Sequence, residues 1–242
     1  MNNELGAIFL CYYIMSVKCS NMESILRSRF STKQVLSLLL WIYLIGAIGF
    51  SLSFTRAIFS HLSWCTLLVT FLLICISERR NLKSKNAAYF FVLGYFFSFV
   101  IEMIGVQTGV LFGSYQYEYG LGIKLAETPL LIGVNWLMLT MGSASISNLL
   151  FANANKVIHI LVGASLMVFY DILMEQVASF MQMWSWKNDL IPIQNYVMWF
   201  GASLVMHGLY RHFKIQQETW VSVYVFAFQY LFFLVIKIRY QL

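Results

Sequence analysis

The chain has 242 residues, of which 60% are hydrophobic and only 11% are charged, and its mean hydropathy is +0.72. This composition excludes a soluble globular domain and is typical of an integral membrane protein. A net charge of +6 would favour a nucleic-acid partner in a soluble protein. In a membrane protein Lys and Arg mark orientation instead, so we predict no nucleic-acid partner and a lipid bilayer around most of the chain.

The first apolar stretch, Leu5–Val17, has 13 residues, which is fewer than the roughly 17 to 25 of a spanning helix. We expect a partial or interfacial helix, since the stretch lacks the basic start and small-residue cleavage site of a secretory signal. A start of translation at Met22 is an alternative, because Met22–Lys33 has the composition of a polar leader. Residues 1–34 are predicted as this N-terminal leader and residues 35–242 as a single transmembrane helical domain.

Seven longer apolar runs follow, separated by loop-sized polar segments. Their lengths predict an all-α fold, a polytopic transmembrane helical bundle of about seven spans, to which the short N-terminal helix is an addition. The predicted spans are Val35–Phe54, Leu62–Ser77, Ala87–Gly105, Pro129–Leu150, Val157–Leu173, Asn195–Tyr210 and Trp220–Ile236.

Basic residues are distributed unevenly between the two sides of this predicted bundle. With the N-terminal side in the cytoplasm, eleven Lys and Arg residues face the cytoplasm and five face outward. The excess predicts a multi-pass protein of the cell membrane with its N-terminal side cytoplasmic. Six of the ten acidic residues then lie at or near the outer side, and they are Glu102, Glu118, Glu127, Asp171, Glu175 and Asp189.

Glu102 lies three residues before the end of the third apolar run, where a charged side chain is costly in lipid. The loop after it is rich in Gly and Tyr, including Tyr115 and Tyr117, and the next apolar run carries Asn135 and Trp136. A buried carboxyl group needs polar partners to offset its desolvation. We therefore expect a functional site in this part of the chain.

A second carboxyl pair lies near the end of the fifth run, in the segment DILME. Asp171 and Glu175 are four residues apart, which places both on one helical face if the helix continues that far. Two like charges in a poorly solvated place resist joint ionisation, so one group would keep its proton and act as a general acid. The alternative is that the helix ends at Leu173 and Glu175 is a solvated loop residue.

Aromatic and amide side chains cluster beside these acids. An aromatic belt at the membrane interface is the simple explanation; the alternative is that ring faces beside a protonated acid stabilise a carbocation. The amides either orient the acid or a water molecule, or they join neighbouring helices. The candidate substrate-binding residues are Tyr115, Tyr117, Asn135, Trp136, Trp184, Trp186, Asn195, Tyr196 and Trp199, and Tyr119 belongs to the same loop as the first two.

The two prolines of the chain give a weak sign of duplication. Pro129 precedes Trp136 by seven residues, and Pro192 precedes Trp199 by the same interval. Each proline is expected at the start of a helix, a position that Pro tolerates.

Several other kinds of site find no support in the sequence. The four Cys and four His residues show no metal-ligand spacing, so no metal site is predicted. There is also no nucleophile elbow, phosphate-binding loop or dinucleotide fingerprint.

Four runs of residues follow one another along the chain, and they are ExxGVxTGxxFGxYxYxxxLG (Glu102–Gly122), TPLLIGVNW (Thr128–Trp136), YDxLxE (Tyr170–Glu175) and WxWxxxxIPxQNYxxWF (Trp184–Phe200). In this order they closely resemble the membrane carotenoid-biosynthesis proteins. That family includes the carotenoid 1,2-hydratases, which act on acyclic ends of lycopene-like or bacterioruberin-type pigments, and the resemblance covers roughly Val35–Phe213. One departure is Gln176, where the family pattern has Pro after the acid, and we expect a looser turn there.

The resemblance implies an enzyme that adds water across the terminal 1,2 double bond of a membrane-embedded acyclic carotenoid, with no redox cofactor and no metal. Combined with the residue patterns, it assigns Asp171 as proton donor, Glu102 as the group that holds water or shares the proton, and Glu175 as a modulator. The resemblance and the residue patterns are equally consistent with Glu102 as proton donor and Asp171 in the other role.

Rival interpretations are a cyclase or isomerase on the same end group, a non-catalytic pigment- or lipid-binding protein, and a small transporter. The sequence leaves open whether other carotenoid pathway enzymes bind the chain.

Overall fold

A computed structural model describes residues 31–217 and 220–242, so the predicted helix Leu5–Val17 and the alternative start at Met22 lie outside the described residues. Within them the chain forms seven long helices and four short strands. The helices are α1 (Thr32–Ser51), α2 (Arg56–Leu82), α3 (Lys85–Thr108), α4 (Ile132–Leu150), α5 (Lys156–Ala178), α6 (Ile193–His212) and α7 (Val221–Tyr240). The strands are β1 (Tyr115–Tyr117), β2 (Lys124–Leu125), β3 (Thr128–Pro129) and β4 (Trp184–Trp186), and a 3₁₀ turn follows at Lys187–Asp189.

The prediction of an all-α helical bundle is confirmed, and each predicted span corresponds to one helix. Helices α1, α2, α3, α5 and α7 are each long and apolar enough to cross a membrane, as expected for a multi-pass membrane protein. Helix α4 is more polar because it is central: it contacts α2, α3, α5, α6 and α7, and fourteen of its 19 residues are buried. A helix surrounded by other helices does not need an apolar surface toward lipid.

Successive helices run in alternating directions, so the ends of α1, α3, α5 and α7 meet the starts of α2, α4 and α6. The Tyr240 hydroxyl at the end of α7, for example, donates to the Phe50 carbonyl in the last turn of α1 at 2.9 Å. We call this the lid end, because β1 and β4 cover it, and the six acidic residues predicted to share a side all lie there. The opposite, basic end carries eight described Lys and Arg residues: Lys33, Arg79, Arg80, Lys83, Lys85, Lys156, Arg211 and Lys214.

Polar residues at the helix termini explain where the helices begin and end. The Ser31 side chain caps α1 by accepting from the Gln34 amide, and Gln34 reaches back to the Ser31 amide. Helix α3 is capped by Gly109, whose φ of 65° is left-handed and unstrained for glycine. That turn directs the chain into the loop that contains β1.

The prolines behave differently from the prediction that both begin helices. Pro192 directly precedes α6, as expected, but Pro129 lies in β3, three residues before α4 begins at Ile132. Strand β3 pairs with β2 in a short hairpin. Pro129 is therefore part of a strand and not of the helix.

A close helix crossing near the basic end makes Gly163 sensitive to substitution. A Cβ on Gly163 would lie 2.2 Å from the buried His207 ring, whose Nε2 is 2.9 Å from the Ser143 hydroxyl. We expect Gly163→Ala to displace this ring and to lower the free energy of unfolding by about 1 to 3 kcal/mol. Gly208→Ala is the control, because nothing lies within 4 Å of its Cβ position. Thermal unfolding in detergent compares the two variants, and equal melting temperatures would contradict the expectation.

Candidate active site

Two loops of the chain meet in a small two-stranded sheet over the lid end of the bundle. Strand β1 pairs with β4 in antiparallel register, with Tyr115 opposite Trp186 and Tyr117 opposite Trp184. Because side chains alternate along a strand, these four aromatic residues share one face of the sheet. All four donate to carboxyl groups of the helices below. We call the four residues the aromatic lid.

Glu102 on α3 is buried beneath β1 and accepts three hydrogen bonds. The hydroxyls of Tyr115 and Tyr117 donate to its Oε2 at 2.7 and 2.8 Å. The indole of Trp136, in the first turns of α4, donates to Oε1 at 2.9 Å. Glu102 is six residues from the end of α3 and 3% exposed, so three donors offset the burial of its carboxyl group.

Glu175 on α5 is held in the same way beneath β4. The indoles of Trp184 and Trp186 donate to its Oε2 at 2.9 and 2.6 Å, and the Asn195 amide donates to Oε1 at 3.1 Å. Each glutamate therefore receives two bonds from the lid and one from the following helix.

Asp171 lies one turn before Glu175 and has far fewer partners. Nδ2 of Asn195 donates to its Oδ2 at 3.0 Å, so the same amide bridges both carboxyl groups of α5. Oδ1 is buried and has no hydrogen-bond partner among the described residues. Asp171 is fully buried and Asn195 is 1% exposed, so the bare oxygen is shielded from solvent.

The surroundings of the three carboxyl groups contain many donors and little positive charge. No Lys, Arg or His of the described residues hydrogen-bonds to Glu102, Asp171 or Glu175. Burial, and then the charge of Glu102, raise the pKa of the Tyr115 and Tyr117 hydroxyls far above the usual value, so both stay protonated donors. No group of three or more His, Cys, Asp or Glu side chains in the described part of the chain is arranged to hold a metal ion.

Aromatic rings close the space around the carboxyl groups. Trp136 stacks on Trp199 with ring centroids 4.2 Å apart and an interplanar angle of 20°. A void of about 10 Å³ remains, with Glu102, Glu175 and Asn195 in its lining. That is close to the smallest volume that holds one water molecule, roughly 10 to 15 Å³, and its polar lining suits water.

A larger apolar cavity of about 270 Å³, which we call the chamber, lies beside the carboxyl groups. It opens between α1 and α2, where Ile45 is 53% and Leu62 is 45% exposed, so its mouth faces the membrane. The Trp184 ring lines both the chamber and the water-sized void and separates them. The chamber residues Asn135, Tyr170 and Met174 directly precede Trp136, Asp171 and Glu175 in the chain.

The structure brings together the three candidate catalytic residues and seven of the nine candidate substrate-binding residues. The two exceptions are Asn135 and Tyr196. Asn135 lines the chamber, where no described residue hydrogen-bonds to its side-chain amide. Tyr196 is partly buried on α6 and makes no hydrogen bond to the carboxyl groups. Tyr119 stacks on His61 and is 40% exposed.

Three local predictions near the site are settled by the geometry. Helix α5 continues to Ala178, so the alternative with Glu175 in a solvated loop is wrong. Gln176 lies inside this helix and bonds the Ile172 carbonyl at 2.8 Å, so the expected looser turn is also wrong. The buried indoles of Trp184 and Trp186 are inconsistent with an interfacial belt, an explanation that suits the more exposed Tyr119.

Sequence reasoning missed most of the chamber. Among its polar members, Tyr43 lies on α1 and Gln229 on α7, and Gly46 and Phe232 of the same two helices also line it. Gln229 accepts from the Tyr170 hydroxyl at 3.2 Å. A polar Gln within the apolar run of α7 was the available signal, since such residues seek partners on other helices.

Comparison with known proteins gives one family match. The family model described as carotenoid biosynthesis protein matches residues 60–241, which is 182 of the 242 residues. No curated protein and no solved structure matches the chain. The matched region includes α3 to α6 and both strands of the aromatic lid, and thus Glu102, Asp171 and Glu175, which we call the carboxyl cluster. The chain therefore belongs to the carotenoid biosynthesis protein family.

Proposed function

We propose that this protein is a cofactor-independent hydratase that adds water across the terminal 1,2 double bond of an acyclic carotenoid end group. The observation that carries the proposal is Asp171, a buried carboxyl group with one bare oxygen, whose hydrogen-bond partner Asn195 lines a water-sized void. Hydration of an alkene consumes one water molecule and requires an acid that lends a proton to the double bond.

The hydrogen bonds divide the roles among the three carboxyl groups. Glu102 and Glu175 each accept three hydrogen bonds, and bonds to an ionised carboxyl group stabilise its charge. Asp171 accepts one, so it is the group that most readily holds a proton. This supports Asp171 as the proton donor and the two glutamates as anions.

The reaction then proceeds by transfer of the Asp171 proton to C2 of the terminal double bond, which leaves a tertiary cation at C1. The carboxylates of Glu102 and Glu175 and the faces of the surrounding indoles stabilise that cation. The oxygen of the water in the void bonds to C1, and its released proton passes to a glutamate and returns to Asp171. One water is consumed, and the enzyme regains its starting state.

The chamber is the place we assign to the substrate end group. It is apolar and it opens toward lipid. Two of its lining residues, Tyr170 and Met174, directly precede Asp171 and Glu175 in the chain. Trp184 separates the two spaces, so the end group reaches Asp171 when this indole turns aside. The substrate therefore enters from the bilayer, as expected for a membrane pigment.

Expression of the full chain in a host that accumulates lycopene tests the function. We expect a new, more polar pigment whose mass exceeds that of the substrate by one water. A new pigment of unchanged mass would instead identify a cyclase or isomerase. No new pigment from a correctly inserted protein would favour a non-catalytic pigment-binding role and overturn the proposal.

Gly46 on α1 allows the chamber to be tested separately. A Cβ on Gly46 would meet the Phe232 ring at 3.4 Å, an ordinary contact, so a phenyl group added there projects into the chamber. We expect Gly46→Phe to reduce pigment conversion at least tenfold by excluding the end group, with little change in melting temperature. Gly201→Phe is the control, since Gly201 is exposed and nothing lies within 4 Å of its Cβ position. Equal activity of the two variants would remove the chamber from the proposal.

A further inference from the structure

A second cavity lies on the opposite side of α2 from the chamber, toward the basic end. It is an open cleft of about 590 Å³ between α2 and α3, with Val134 and Leu137 of α4 as its floor. Its α2 wall includes Phe71, Cys75 and Arg79, which recur every four residues and therefore share one helical face. Its α3 wall is aromatic and includes Phe91, which meets Phe71 edge to face with ring centroids 6.0 Å apart.

Charge changes along the length of this cleft. Its deep part is apolar, whereas its mouth at the basic end carries Arg79 and Lys83. Arg80 and Lys85 lie close by in the chain, and Glu78, the one acidic residue that the structure describes at this end, is buried. The mouth therefore has a strong excess of positive charge above an apolar groove.

The dimensions of the cleft match one leaflet of a membrane. Phe71 lies on α2, and Lys83 directly follows this helix, twelve residues further on, a rise of about 18 Å at roughly 1.5 Å per residue. One leaflet contributes about half of the roughly 30 Å hydrocarbon thickness of a bilayer. A molecule with a charged head at Arg79 and an apolar tail on the aromatic walls fits this length. A carotenoid chain that spans both leaflets would extend beyond it.

We propose that this cleft binds one anionic phospholipid, with its phosphate at Arg79 and Lys83 and an acyl chain along Phe71 and Phe91. Basic residues at the membrane surface attract anionic headgroups, and basic pockets between transmembrane helices on one side of the membrane bind them selectively. The bound acyl chain reaches Val134 and Leu137, which flank Asn135 and Trp136 on α4. The lipid site is thus separate from the carboxyl cluster but packs on the helix that supports it.

The test uses the full chain purified in a neutral detergent and titrated with phosphatidylglycerol or phosphatidylcholine. We expect phosphatidylglycerol to raise the melting temperature and native mass spectrometry to retain one copy per chain, with little effect of phosphatidylcholine. Arg79→Gln with Lys83→Gln should weaken phosphatidylglycerol binding by about tenfold or more. The charge-conserving pair Arg79→Lys with Lys83→Arg should retain binding.

The matched control is Lys156→Gln with Lys214→Gln, which removes the same charge from the basic end outside the cleft. It should bind phosphatidylglycerol as the unchanged protein does. An equal loss of phosphatidylglycerol binding in this control would show that the lipid is attracted to the basic surface in general, and it would overturn the proposed site. Equal stabilisation by phosphatidylcholine, or none by either lipid, would overturn it as well. If the Gln pair fails to fold, loss of binding in the charge-conserving pair contradicts the proposal.

Discussion

Asp171→Asn should abolish pigment hydration while leaving the helical bundle intact. The two side chains have nearly the same shape, and the Asn oxygen can accept the bond that Asn195 now donates to Oδ2 of Asp171. The other oxygen has no partner to lose among the described residues. An amide cannot donate a proton to an alkene carbon, so we expect conversion to fall by roughly 10² to 10⁴-fold, the usual contribution of a general acid.

The control for this substitution is Asp189→Asn, which changes the same functional group in the 3₁₀ turn after β4, where the side chain is exposed. It should convert pigment at the unchanged rate. Pigment conversion per amount of inserted protein and melting temperature in detergent are measured for both variants. Full activity of Asp171→Asn with a folded bundle would transfer the donor role to Glu102, and full activity of Glu102→Gln as well would refute the carboxyl mechanism.

The membership of the site could be predicted from the sequence because its residues are rare in lipid. Glu102, Asp171 and Glu175 interrupt apolar runs, and a charge there requires a reason. The helical period correctly placed Asp171 and Glu175 on one face, and α5 extends far enough for both. Local pattern and elementary electrostatics were sufficient for these assignments.

The partners of each carboxyl group could not be predicted, because they depend on contacts between distant segments. The pairing of β1 with β4 joins strands of three residues each, some 70 positions apart in the chain. Strands this short carry no periodic signal. The chamber is equally non-local, since Gly46, Phe232 and Gln229 come from helices that the motifs do not include.

The pairing of β1 with β4 also bears on the repeated Pro-to-Trp spacing, the weak sign of duplication in the sequence. Two segments of the chain, α3–β1–α4 and α5–β4–α6, have the same plan. In each, the first helix ends near a glutamate, the aromatic residues of the strand donate hydrogen bonds to that glutamate, and the second helix begins near a Trp. The two strands pair antiparallel, and Trp136 stacks on Trp199. Glu102 and Glu175 are thus placed in matching positions around the site. Their donors, however, differ in chemistry.

That difference predicts unequal tolerance to the change of Glu to Gln. The three donors to Glu175 are N–H groups of Trp184, Trp186 and Asn195. Indole nitrogens donate only, and Asn195 presents its Nδ2 to both carboxyl groups of α5. The new amide group of Glu175→Gln must therefore face at least one N–H donor. We expect a loss of about 1 to 3 kcal/mol of stability for each donor left unsatisfied.

Glu102→Gln should be tolerated better, because two of its donors are hydroxyls. Its remaining oxygen can accept from Trp136, and its new amide can donate to the hydroxyl oxygens of Tyr115 and Tyr117. Thermal unfolding in detergent should rank Glu175→Gln well below Glu102→Gln, with the exposed Glu127→Gln as an unchanged reference. The reverse order would mean that the two tyrosine hydroxyls do not accept hydrogen bonds from the new amide group. Both site variants should lose pigment conversion, because each removes a negative charge that stabilises the cation.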